Sequence, residues 1–121
     1  MNDERNPLLR RLAKTANLSN SHKRSRKQEQ QIAKRVGGFV TPASGSREVK
    51  GDVRVKGIVR IECKTTKNKS FSVTLDMIRK IESAAIEAGE MPVLIVEFND
   101  GFGRKLAEVA VTPTYVLDEL V

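Results

Sequence analysis

Residues 51–64 read Gly-Asp-Val-Arg-Val-Lys-Gly-Ile-Val-Arg-Ile-Glu-Cys-Lys. Two short apolar-rich stretches flank Lys56-Gly57, and this arrangement predicts a pair of antiparallel strands joined by a tight turn. Successive side chains of a strand point to opposite faces, so the second strand presents one apolar face and one charged face. The apolar face carries Val59, Ile61 and Cys63, and the charged face carries Arg60, Glu62 and Lys64.

The charged face of this hairpin predicts a small anionic site. Asp52 opens the first strand, so in an antiparallel pair it lies beside the strand that carries Glu62 and Lys64. Two carboxylates supply the hard oxygen ligands that suit Mg²⁺ or Mn²⁺. A bound ion would acidify water and neutralise charge on a phosphodiester, while Lys64 would orient the water or hold a phosphate oxygen. Ordinary solvated charge is the alternative interpretation of a Glu-x-Lys strand, and the spacing alone does not decide between them.

Length and composition indicate one compact domain. The chain has 121 residues, of which 39% are hydrophobic, and this is enough for a single core. The one cysteine, Cys63, cannot form an internal disulfide, and its apolar strand face indicates a buried hydrophobe in a reducing compartment. The one histidine, His22, stands in a polar stretch, which disfavours histidine-based nuclease and zinc chemistry. With neither a membrane-length apolar run nor a signal-like N-terminus, we expect a cytoplasmic protein.

The net charge of +7 is unevenly distributed along the chain. Residues 1–35 hold ten basic and three acidic side chains, and residues 47–69 hold eight and three. Residues 70–121 hold four basic and nine acidic side chains. Positive charge therefore surrounds the predicted carboxylate pair, which favours a polyanionic partner such as nucleic acid. A basic N-terminal segment that only aids solubility is the alternative.

The N-terminal third divides into an arm and a helix. Residues 1–24 are a basic arm, either a short amphipathic helix or a segment that orders on a partner, and residues 25–121 are the domain. Ser25 to Gln28 fits a capping box, and Gly37-Gly38 fits the end of the helix that it begins. Glu29 shares the apolar stripe of that helix with Ile32, Ala33 and Val36. A carboxylate there needs a cation or an opening to solvent, or else it lies at the stripe's edge near the helix N-terminus.

The remaining segments predict an α/β fold. Strands are predicted at residues 39–41, 91–98 and 105–111, and helices are predicted at residues 75–88 and after Pro113. A turn-rich loop over residues 42–47 has small residues and hydroxyls that can approach phosphate closely, although plain loops share this composition. We therefore expect a mixed central sheet of about five strands flanked by helices.

Four features of this chain, in order, resemble one nuclease family. They are Glu29 on the first helix, Pro42-Ala43-Ser44-Gly45-Ser46, Asp52, and Ile61-Glu62-Cys63-Lys64. The chain resembles the archaeal-type Holliday junction resolvases, members of the restriction-endonuclease-like (PD-(D/E)XK) nuclease superfamily, over about residues 26–111. The following Leu75-Asp76-Met77-Ile78 and Met91-Pro92-Val93-Leu94-Ile95-Val96 segments also resemble the family pattern.

This resemblance implies a restriction-endonuclease-like fold for residues 25–121 and a set of catalytic residues. Glu29, Asp52 and Glu62 would be the acidic metal-site residues, with the Cys63 backbone carbonyl as a further ligand. Lys64 would be the catalytic lysine, and Ser44 would match a serine of a mobile substrate loop. The implied enzyme is a homodimer that needs Mg²⁺ or Mn²⁺ and no small-molecule cofactor.

The implied reaction is paired nicking of opposed strands in a four-way DNA junction, a hydrolysis that serves DNA recombination and repair. Phosphate contacts are expected from basic and hydroxyl side chains around the predicted site. These are Arg24, Arg26, Lys27, Ser44, Ser46, Arg47, Lys50, Lys67 and Lys69. The alternatives are another nicking or repair endonuclease of the same superfamily that acts on branched DNA, and a DNA-binding module without catalysis.

Overall fold

A five-stranded mixed sheet forms the centre of the molecule in a computed structural model that describes residues 24–41 and 53–121. The strands are β1 (Phe39–Val40), β2 (Val53–Val55), β3 (Val59–Thr66), β4 (Met91–Asn99) and β5 (Lys105–Val111). The helices are α1 (residues 24–36), α2 (Leu75–Ala88) and α3 (Thr114–Leu120). The prediction of an α/β domain with a mixed sheet of about five strands and flanking helices is confirmed.

The strands lie in the sheet in the order in which the chain visits them. β1, β2 and β3 pair antiparallel, β3 and β4 pair parallel, and β4 and β5 pair antiparallel. The predicted hairpin turns at residues 56–58, where Gly57 adopts a φ of 76°. This positive φ suits glycine because the residue has no Cβ to clash. The parallel pair needs a crossover connection, and α2 provides it.

The sheet separates two hydrophobic clusters. On one face, Ile32 and Ala33 of α1 lie in a cluster that also contains Val53, Ile61, Cys63 and Ile95. On the other face, Ile81 of α2 packs with Leu94 and Val96. In-register neighbours project to the same face, and Glu62 pairs with Leu94 while Lys64 pairs with Val96. Glu62 and Lys64 therefore belong to the α2 face of the sheet, as the alternation in β3 requires.

The ends of α1 and α2 follow local signals, whereas the predicted start of α1 does not. α1 ends at residue 36, before Gly37 with a φ of 72°, as the predicted Gly37-Gly38 end requires. At α2, the Thr74 hydroxyl accepts a hydrogen bond from the Met77 N–H, and Gly89 ends the helix with a φ of 70°. At α1, Arg24 is already helical, so the predicted capping box that begins at Ser25 is wrong. None of the helices within the described ranges 24–41 and 53–121 is long and apolar enough to cross a membrane.

A buried carboxylate joins the hairpin to the α2–β4 connection. The Glu90 side chain is 0% exposed and accepts hydrogen bonds from Arg54 Nη2 at 2.6 Å, Arg60 Nε at 3.0 Å and Gly57 N at 3.0 Å. Burial alone would raise the pKa of Glu90, but these hydrogen bonds and the charge of Arg54 lower that pKa from 4.5 to about 2. The ionised carboxylate therefore stabilises the folded hairpin.

We expect Glu90→Gln to lower the free energy of unfolding by roughly 3 kcal/mol at pH 7, because it leaves two partly buried guanidinium groups without their counter-charge. The pKa of Glu90 is lower in the folded chain, so its stabilisation is present above pH 4.5 and is lost as the pH falls towards about 2. The difference in free energy of unfolding between the variant and the unmodified protein should therefore be smaller at pH 3 than at pH 7.

Urea unfolding at pH 7 and pH 3 measures this effect, with Glu87→Gln on the exposed surface of α2 as the control of equal charge change. If the Glu90→Gln variant and the unmodified protein differed by the same free energy of unfolding at both pH values, the ionised Glu90 carboxylate would not be the stabilising group.

Candidate active site

The candidate site lies on the charged side of β3. Ile61 and Cys63 are 3% and 8% exposed, whereas the intervening Glu62 side chain is 23% exposed and that of Lys64 is 42% exposed. The Lys64 Nζ lies 3.5 Å from Glu62 Oε1. Glu62 and Lys64 therefore lie together and reach solvent, as predicted. Their strand, β3, lies between β2 and β4 in the sheet. Such a pair presents a carboxylate oxygen and an ammonium to the same small volume.

Asp52 lies outside the described residues, but its neighbour in the chain does not. Val53 begins β2 and pairs with Ile61, the residue directly before Glu62. The predicted proximity of Asp52 and Glu62 therefore stays a prediction.

A groove adjoins the site on the same face of the sheet. It has a volume of about 500 Å³ and lies between the hairpin and α2. Its charged lining residues are Arg54, Arg60, Lys80 and Glu87. Arg60 precedes Glu62 by two residues and shares its face of β3. Arg54 and Arg60 are fixed by the buried Glu90 carboxylate, with side chains 22% and 14% exposed. The groove therefore offers preorganised basic groups next to Glu62.

Gln28 connects α1 to the candidate strand. The residue is 1% exposed, and its Nε2 donates a hydrogen bond of 2.8 Å to the backbone carbonyl of Lys64. Its Oε1 is buried and has no hydrogen-bond partner among the described residues. The predicted capping box assigns Gln28 a local role and does not reveal this contact. The signal was its position four residues before Ile32, which puts both side chains on the buried stripe of α1.

Glu29 is next to Gln28 but is not the buried polar residue of the helix. It is partly exposed, and Val36, the last member of the predicted stripe, is 38% exposed. α1 packs on the face of the sheet that carries Ile61 and Cys63, opposite the face that carries Glu62 and Lys64. The described contacts therefore bring Glu62 and Lys64 together and do not add Glu29 to them.

Arg24 has a structural position, although the sequence analysis included it among the phosphate contacts. Its Nε and Nη2 donate to the two carboxylate oxygens of Glu97 at 2.8 and 2.7 Å, and its Nη1 donates to the Gly103 carbonyl at 3.2 Å. The Glu97 side chain is 0% exposed and that of Arg24 is 15% exposed. A buried carboxylate needs such a bidentate partner, so Arg24 fixes the start of α1 against the sheet.

Of the other residues predicted to contact phosphate, some are exposed and the rest lie outside the residues that the structure describes. Arg26 and Lys27 are exposed on α1, and Lys67 and Lys69 are exposed after β3. Ser44, Ser46, Arg47 and Lys50 lie outside the described residues. Cys63, predicted to offer its backbone carbonyl to a metal, is buried between Glu62 and Lys64 and pairs with Ile95.

The chemistry of the donors suits a hard divalent ion, but the described residues supply only part of a donor set. Glu62 offers a carboxylate, and the Cys63 carbonyl is of the same hard type. Within residues 24–41 and 53–121, no group of three His, Cys, Asp or Glu side chains is positioned to hold a metal ion. A complete site would therefore require Asp52.

Comparison of the chain with protein-family models, curated proteins and solved structures found no match. The resemblance to junction resolvases therefore stays a prediction that rests on the motif residues.

We expect Gln28→Glu to destabilise the protein by roughly 3 kcal/mol at pH 7, because a buried carboxylate would face the Lys64 carbonyl. Burial would raise the pKa of the introduced carboxyl, so the group becomes protonated as the pH falls and can again donate a hydrogen bond to that carbonyl. The loss of unfolding free energy should therefore be smaller at low pH.

Urea unfolding between pH 8 and pH 5 tests this, with Gln30→Glu on the exposed side of the same helix as the control. Equal stability of the two variants would mean that the Gln28 amide does not hold α1 against Lys64.

Proposed function

We propose that this protein is a divalent-metal-dependent endodeoxyribonuclease that resolves four-way DNA junctions by paired nicks. The observation that carries the proposal is the Glu62–Lys64 pair, with Nζ 3.5 Å from Oε1, on one face of the central strand β3. Val53, the first residue of β2, pairs with Ile61, which directly precedes Glu62. In the sequence, Asp52 directly precedes Val53. Motif order and basic charge around the site support the same assignment.

In the proposed mechanism, Asp52 and Glu62 would hold Mg²⁺ or Mn²⁺ together with the Cys63 carbonyl, and Glu29 would contribute directly or through water. When bound, the ion acidifies water and offsets the negative charge that develops on the phosphodiester. Lys64 orients the attacking water or holds a phosphate oxygen, since its ammonium lies beside the Glu62 carboxylate and reaches solvent.

Glu29 has a constrained role in this mechanism. It belongs to a helix on the other face of the sheet from Glu62, but the Gln28–Lys64 hydrogen bond brings its neighbour to the backbone of β3. An action through water fits this position better than direct ligation, because a carboxylate on α1 does not share the side-chain face of Glu62. Glu29→Gln should therefore cost less activity than Glu62→Gln.

A homodimer would present two such sites related by a two-fold axis, which matches the pseudo-two-fold symmetry of a four-way junction. The exposed Lys67 and Lys69 after β3 and the basic groove beside Glu62 would contact phosphates without reading base sequence. Selectivity would then come from the shape of the branched DNA.

Cleavage of a synthetic immobile four-way junction tests this function. We expect paired symmetric nicks with Mg²⁺ and none in EDTA. Glu62→Ala and Asp52→Ala should each reduce the cleavage rate at least about 100-fold, since each would remove a ligand of the metal ion whose positive charge stabilises the transition state. Junction binding in EDTA should be unchanged in both variants, and Glu119→Ala on the exposed surface of α3 is the control.

Retained cleavage in the Glu62→Ala variant would place the active site elsewhere. Parallel assays on flap and linear duplex substrates separate the two alternatives. Preferred cutting of a flap would identify a different branched-DNA endonuclease of this superfamily, and binding without cutting would identify a DNA-binding module.

A further inference from the structure

The solvent side of α1 is a basic surface on the face of the sheet opposite Glu62 and Lys64. Arg26, Lys27, Lys34 and Arg35 are all exposed on this helix, while its buried stripe packs on the Ile61 and Cys63 face. Lys27 and Lys34 are seven residues apart, so about 10 Å of helix separates them on nearly the same side. The helix thus presents a row of cations rather than a single charge.

A groove runs between this surface and β5. It has a volume of about 320 Å³, and its lining residues are Arg24, Lys27, Gln31, Arg35, Gly103, Lys105 and Glu108. Among the described residues of the lining, Glu108 is the only acidic one. Burial would raise the pKa of Glu108, but its hydrogen bond and charge interaction with Arg35 and the charge of Lys105 lower that pKa. Glu108 therefore stays ionised and offsets one of these cations, while Glu97 offsets Arg24. The described lining still keeps an excess of positive charge.

α2 and α3, on the other face of the sheet, do not have this excess of basic over acidic residues. α2 carries Arg79 and Lys80 together with Asp76, Glu82 and Glu87, and α3 carries Asp118 and Glu119 with no basic residue. A long polyanion is therefore attracted to the α1 face at least as strongly as to the face that carries the candidate active site.

We propose that the α1 groove binds the sugar–phosphate backbone of a second duplex arm, so that branched DNA is held on both faces of the domain. This rests on the proposed function for the identity of the polyanion. The length of the cation row exceeds what a single phosphate needs, and Gln31 lies between Lys27 and Arg35 in the lining with an amide that donates to phosphate oxygens. Among the residues that the structure describes, none of those lining the groove is aromatic, which favours contact with the backbone over base stacking.

The test compares two double charge reversals at exposed positions. One is Lys27→Glu with Lys34→Glu on α1, and the matched control is Lys56→Glu in the hairpin turn with Arg79→Glu on α2, two residues that line neither groove. Binding of each full-length variant to a four-way junction and to a linear duplex is measured in EDTA over a series of salt concentrations. Circular dichroism and thermal unfolding confirm that each variant is folded, and Lys27→Gln with Lys34→Gln provides a milder pair.

We expect the α1 variant to bind the junction at least about 10-fold more weakly. The slope of log affinity against log salt concentration should fall by the amount that corresponds to about two phosphate contacts. The loss for linear duplex should be smaller, because one duplex can occupy the Glu62 face alone. The control should lose less than the α1 variant on the junction.

Unchanged junction affinity in the α1 variant would overturn the inference, as would an equal loss in the control or an equal loss on linear duplex. An unmodified protein that binds the junction but does not cut it overturns the proposed nuclease and leaves this surface in place. An unmodified protein that binds no DNA overturns both.

Discussion

The parallel ladder between β3 and β4 is the constraint on which the rest of the structure depends. It runs in register from Val59 and Met91 to Thr66 and Phe98. A shift of one residue would transfer Glu62 and Lys64 to the face beneath α1 and would expose Ile61 and Cys63. The burial of the core and the presentation of the carboxylate–ammonium pair are therefore fixed by the same register, since neither can change without the other.

Features with short-range signals were predictable from the sequence. The hairpin follows from alternation around Gly57, and the end of α2 follows from Gly89, because each glycine adopts the positive φ that its turn needs. The pairing of Glu62 with Lys64 on one face follows from the two-residue period of a strand. These elements needed only local geometry, so the sequence carried enough information.

Features with distant partners were not predictable. Gln28 matched a local capping pattern, but the Lys64 carbonyl, 36 residues away, determines its position. The sequence predicts a phosphate contact for Arg24 and gives no local sign of its partner Glu97, 73 residues away. Glu97 carried a usable signal, because a carboxylate within the continuous apolar run of β4 requires a buried cation. The face of the sheet that α1 covers, and hence the place of Glu29, also depends on long-range packing.

The Arg24–Glu97 pair has a mechanical consequence. The guanidinium of Arg24 is held by two hydrogen bonds to a fully buried carboxylate on β4. A force that pulled the first described turn of α1 away from the sheet would be opposed by this bidentate ionic contact as well as by the packed core. Such a load would thus be borne in part by β4, the partner strand of β3, rather than by helix packing alone.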